Sequence, residues 1–117
     1  MPGIVCAIRG GPESRRTIKK AITLSQESGQ EIHFLYVINL DYLSGSLHTH
    51  VQIMTQELQK MGEFILLAAQ ETADKNKVTA HGITRKGSVA EEIIALCEEV
   101  AEVARHVEGA AINSLNV

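Results

Sequence analysis

The stretch Ile4-Val5-Cys6-Ala7-Ile8-Arg9-Gly10-Gly11-Pro12-Glu13, joined through a periodic segment to Ile32-His33-Phe34-Leu35-Tyr36-Val37-Ile38, decides the fold class. Both runs are apolar at odd and even positions alike, which is the pattern of a strand covered on both faces. The first ends at a Gly-Gly-Pro turn. Between the runs, Ile18, Ala21, Ile22 and Ser25 recur at helical spacing with Leu24 beside them, while Arg15, Arg16, Lys19 and Lys20 fall on the other side. Pro12 near the first turn and Gly29 after the last are a helix start and stop. Strand, amphipathic helix and strand with short joins predict a βαβ unit, hence parallel strands and a right-handed crossover.

Working outward, Asn39 to His50 has turn residues and no period and is expected to be a loop, long enough to carry function or motion. A long helix is expected from about Val51 to Lys75, with a near-heptad stripe through Val51, Met54, Leu58, Met61, Ile65, Ala68 and Thr72. Gly62 interrupts it at a cost of up to about 1 kcal/mol relative to Ala. Val78 to Thr84 reads as a third strand, polar enough at Thr79 and His81 for a sheet edge. Ser88-Val89-Ala90-Glu91 has the form of a capping box. It opens a helix striped by Val89, Ile93, Leu96, Cys97, Val100, Val103 and Val107, expected to reach about Glu108. The tail from Ala110 to Val117 is expected to be either a strand or an unanchored end.

The chain has 117 residues, 44% hydrophobic and 21% charged, which suits one domain over residues 1–117 without a disulfide or metal staple. Cys6 and Cys97 are expected to be reduced, apolar thiols, and no C-x-x-C occurs. A net charge of -3, a pI near 5.9 and 3% aromatics argue against nucleic acid as a partner. No apolar run reaches spanning length, and no signal-type segment opens the chain. A cytoplasmic protein without membrane association is expected.

Three segments, in this order and spacing, resemble the universal stress protein family. They are the opening strand and turn Ile4 to Arg16, the helix, turn and strand from Ala21 to Ile38, and Gly87-Ser88-Val89-Ala90-Glu91-Glu92-Ile93-Ile94. The resemblance covers about Pro2 to Val103. It implies a three-layer α/β domain with an open parallel sheet of three to four strands, of the adenine-nucleotide alpha hydrolase-like, universal stress protein type. It implies the strand order 3-2-1-4-5 and, in members that bind ATP, an acidic residue after the first strand. Here that place holds Arg9, and the family's Gly-x-x-Gly and later Gly-Ser phosphate segment has no counterpart. Without the usual fourth and fifth strands the apolar first strand is a bare edge. The Ala110–Val117 tail, a second chain or an exchanged element is expected to cover it.

The chemistry follows from these residues. The Gly10-Gly11 turn offers N–H groups at a helix N-terminus with Arg9, Arg15 and Arg16 nearby, so it could hold a phosphate; a tight turn with solvated arginines is the favoured reading, because Arg9 stands where the resemblance implies an acidic group. With Arg9, Gly10, Gly11, Val37 and Ile38 as the candidate site, ATP or AMP is the candidate cofactor, its binding weakened or lost by the departures from the family pattern. The Gly87-Ser88 turn offers similar donors, less free if Ser88 caps its helix. His48-Thr49-His50 invites a metal, with Asp41, His33 and His81 as distant helpers, but no ligand set is expected. No nucleophile elbow, H-E-x-x-H or acid/base constellation supports catalysis. The expectation is a non-enzymatic stress-response protein that forms a homodimer and binds partners. The alternatives are an ATP- or AMP-binding protein using the Gly10-Gly11 turn, and a small hydrolase or metal-binding domain.

Overall fold

A computed structural model describes residues 3–41, 45–104 and 112–113. The chain order is β1 (Gly3–Ala7), α1 (Pro12–Ser28), β2 (Glu31–Ile38), α2 (His48–Lys75), β3 (Ala80–Lys86), α3 (Val89–Ala104) and β4 (Ile112–Asn113). The four strands form one parallel sheet in the order β3-β2-β1-β4.

Alternation along the two central strands sorts the core into two layers. Ile4, Cys6 and Ile8 of the first strand segment, and Ile32, Phe34, Tyr36 and Ile38 of β2, face one side, where α1 and α2 cover them. Val5 and Leu35, with Ala7 and Val37, face the other side, where α3 contributes Ile93, Leu96 and Val100. This is the three-layer arrangement, and it explains why β1 and β2 are apolar at successive positions. α1 starts at Pro12 and stops at Gly29, which takes the left-handed conformation (φ 73°) and donates its N–H to the Ser25 carbonyl at 2.8 Å. Both cysteines are free thiols; Cys6 is buried, and burial pushes the half-buried Cys97 thiol up.

Four expectations shift. α2 begins at His48, so His48-Thr49-His50 forms its first turn and is not loop; Leu47 precedes it without a side-chain cap, which removes the usual sequence signal. The buried stripe of α2 is Gly62, Leu66, Ala69 and Ala73, flanked by Leu58 and Ile65, whereas Met61, Ala68 and Thr72 are exposed. Gly62 sets that orientation: a Cβ there would lie 2.7 Å from Tyr36 Cε2, so only glycine lets the helix rest on this ring. β3 runs from Ala80 to Lys86 because it pairs with β2 from Ile32↔Ala80 through Ile38↔Lys86, and it is the sheet edge as expected. On α3, Val89 is 39% exposed, so the buried stripe begins at Ile93; Val107 and the continuation to Glu108 lie outside the described residues.

The far side of β1 is covered from within the chain. β4 pairs with it in parallel, Ile4↔Ile112 and Val5↔Asn113. The tail is thus the element beside the first strand, and its strand reading holds at these two residues.

Candidate functional site

In a parallel open sheet the carboxyl ends of the strands and the helix starts that follow them meet along one edge, where ligands bind. Here that edge carries the β1–α1 turn, the end of β2 and the β3–α3 turn. Ile8 donates its N–H to the Leu35 carbonyl at 2.9 Å, so Arg9 leaves the ladder beside the last residues of β2. Gly10 (φ 88°) and Gly11 (φ 91°) then turn the chain through conformations that favour glycine, and Pro12 starts α1.

The decisive side chain in this turn is Ser14, which is only 7% exposed. Its Oγ accepts the backbone N–H of Arg9 at 2.9 Å and that of Gly10 at 3.0 Å. Two of the donors that a phosphate would use are therefore engaged by the protein's own hydroxyl. Ser14 is the third helical residue, and it reaches back over the turn as the last residue of a capping box does. In the sequence Ser14 reads as a helix-start residue; its spacing of three and four residues from Gly11 and Gly10 is the signal for this contact.

Beside the turn lies an open cleft of about 550 Å³ lined by Arg9, Gly10, Pro12, Glu13, Ser14 and Arg16. The two guanidinium groups favour an anion and Glu13 opposes it. Val37 and Ile38 stand differently. Val37 is half-buried against the α3 layer, and the Ile38 side chain, 1% exposed, belongs to the α1/α2 layer. The structure thus brings Arg9 and Gly10 together around one cleft, while Gly11 belongs to the same turn but not to the cleft's lining. At the end of β2 it leaves backbone rather than side chains for a ligand.

The β3–α3 turn is also engaged. Gly87 donates its N–H to the Ile38 carbonyl at 3.0 Å, tying this turn to the end of β2. Ser88 precedes α3, and its carbonyl accepts the Glu92 N–H at 3.0 Å. Glu91 and Glu92 supply negative charge to the first turn of α3, so the helix dipole is already met. Arg85 makes a two-pronged pair with Glu99, both contacts at 2.7 Å, with Glu92 at 3.9 Å. The hydrogen bond with Arg85 holds the Glu99 carboxyl below its ordinary range.

The histidines do not assemble. His48 and His50 are two residues apart on a helix, about 200° around its axis, so they point to different sides. His33 and His81 stack on each other with ring centroids 5.2 Å apart, near the amino ends of β2 and β3. Glu31 Oε1 lies 2.8 Å from His81 Nε2. No metal-binding cluster of His, Cys, Asp or Glu occurs among the described residues. No helix among them is long and apolar enough to cross a membrane.

Residues 2–101 match the model of the universal stress protein family. The chain belongs to that family. Solved universal stress proteins share its fold. A protein of this family from Burkholderia pseudomallei is 18% identical, with a TM-score of 0.73 over 95% of this chain and 93% of that one. The universal stress protein UspA from Lactobacillus plantarum is 12% identical, with a TM-score of 0.77 over 86% of this chain and 71% of that one. A universal stress protein solved in complex with cAMP is 18% identical, with a TM-score of 0.65 over 86% and 70%. A comparison with curated protein sequences gives no match. Family membership fixes the α/β class and the open sheet, and it makes this chain a member of a stress-response family.

Proposed function

We propose that this universal stress protein is a single-domain, non-enzymatic stress-response protein that works in the cytoplasm as a homodimer, binding protein partners, with ATP binding weak or lost. The observation that carries this reading is the Ser14 hydroxyl, which accepts the N–H groups of both Arg9 and Gly10. A phosphate arriving at the turn must compete with a bond already made in the native state, and Arg9 stands where ATP-binding relatives of the resemblance carry an acid. The test is a calorimetric ATP titration together with sedimentation equilibrium. No saturable heat up to millimolar ATP, from a species of twice the chain mass, is the expected result.

A second reading keeps ATP or AMP as cofactor. It is favoured by the cleft with two guanidinium groups and by a solved relative in complex with cAMP. In that reading Arg9, Gly10 and Gly11 hold the phosphates, and the backbone of Val37 and Ile38 borders the adenosine. Micromolar ATP affinity that Arg9→Ala or Gly10→Ala abolishes would establish it and overturn the first.

A further inference from the structure

On the other side of the Gly10-Gly11 turn, α1 and α2 leave a groove of about 450 Å³ between them. That is within the usual size of a small-molecule site. Its walls are mostly carbon: Ile18 on α1, and Phe64, Ile65, Ala68 and Ala69 on α2. The glycine turn closes one end, because a Cβ on Gly10 would come within 3.0 Å of Ile65 Cδ1. Phe64 stands 74% exposed, on the helix face opposite the stripe buried against the sheet, and nothing in the fold of the described residues accounts for so large an apolar side chain there.

The charge in the groove is one-sided. Arg15 and Lys19, one helical turn apart on α1, line it, and no acidic residue does. Among the described residues neither cation is in an ion pair with a carboxylate. The polar groups along the walls are otherwise engaged: Thr72 Oγ1 donates to the Ala68 carbonyl at 3.0 Å, and Ser14 Oγ accepts the turn amides. Apart from the two cations, the side-chain hydroxyls in this lining are turned to the protein's own backbone. The lining offers apolar area and one pair of cations spaced to straddle a single anionic group.

We propose that the α1–α2 groove binds a small amphipathic carboxylate, an aliphatic or aryl body carrying one anionic head. The body lies along Phe64, Ile65 and Ala68, and the head sits between Arg15 and Lys19. This site adjoins the Arg9–Arg16 cleft, sharing Gly10 and Ser14 with it, and does not rest on whether nucleotide binds there.

Decanoate is the probe and decanol its neutral control, titrated into the full chain below micellar concentration. Binding is followed by amide chemical shifts and calorimetry. Saturable decanoate binding is expected, with the largest shifts at Ile18, Phe64 and Ala68. The surface substitution Ala68→Trp fills the groove and abolishes it. The double variant Arg15→Gln/Lys19→Gln weakens decanoate about tenfold and leaves decanol unchanged. Thermal unfolding of each variant shows that it folds. The proposal is overturned by absence of saturable binding, by full binding in Ala68→Trp, or by equal loss of decanol and decanoate in the double variant. A wild-type dimer that Ala68→Trp converts to monomer, with no decanoate binding, would assign the groove to a second copy of the chain and also overturn it.

Discussion

Gly62 of α2 sits on the ring of Tyr36 in β2 so closely that a Cβ would lie 2.7 Å from Cε2 and 2.9 Å from Cγ. Two effects oppose each other here. Alanine would raise local helix propensity by about 1 kcal/mol. It would also force the ring or the helix to move, and overpacking of this kind costs about 1–3 kcal/mol. Tyr36 is itself buried in the layer that α1 and α2 cover, so the ring has little room to yield. Gly62→Ala is expected to lower stability by a net ~0–2 kcal/mol. Urea unfolding measures it, and a stabilised variant would show that the packing yields freely.

Ser14→Ala removes the acceptor of two amides and leaves them unsatisfied in a part-buried turn. A loss of about 1–3 kcal/mol is expected. Ser14→Thr keeps the hydroxyl, so it should recover part of this if the added methyl is tolerated beside Gly10. Urea midpoints of the three proteins make the comparison.

The Arg85–Glu99 pair gives a pH signature. Its hydrogen bond depresses the Glu99 carboxyl in the folded state. The stability it contributes is therefore present above the ordinary glutamate range and lost as pH falls through the depressed value. Both groups reach solvent, so the contribution at neutral pH is under about 1 kcal/mol. Glu99→Gln should unfold slightly earlier than wild type at pH 7 in low salt, with the difference shrinking as pH falls below the ordinary glutamate range and reduced at high salt. A constant offset across pH would point to packing instead.

His33 works in the opposite range. Its ring lies over Gly3, stacked on His81, and burial followed by the neighbouring His81 lowers its affinity for a proton; Glu31 partly offsets this. The folded state then binds fewer protons than the unfolded chain just below pH 6.5. Stability contributed by neutral His33 is complete above that pH and declines as pH falls through this window. His33→Phe should flatten the decline between pH 7 and 5.5, read as the urea midpoint against pH. An unchanged slope would assign the decline to other groups.

Much of this architecture is legible in particular residues. Ile4 to Ile8 and Ile32 to Ile38 are apolar on both faces because helices cover both, and Pro12 and Gly29 mark where α1 begins and ends. The phase of α2 is less legible. Its sequence carries two overlapping apolar stripes, and a contact 26 residues away in the chain, Gly62 on Tyr36, chooses the one that meets the sheet. The start of α2 is hidden because Leu47 gives no capping signal. At the candidate site, the glycine turn and its arginines are visible in the sequence. The competition between Ser14 and a ligand for the same amides is not, because it depends on the hydroxyl's distance from two backbone nitrogens.

The parallel pairing of β4 with β1 joins residues more than a hundred positions apart, from Val5 to Asn113, through two register pairs. Closing so long a chain segment carries an entropic cost that two short pairs barely offset. The β3-β2-β1 ladder, by contrast, is built from nearby segments and can form first. β4 therefore behaves as a latch. When it lifts, the apolar Ile4–Ile8 edge becomes a template for any strand of similar character, and the concentration of such strands, rather than the stability of the rest of the molecule, sets how the chain assembles or aggregates.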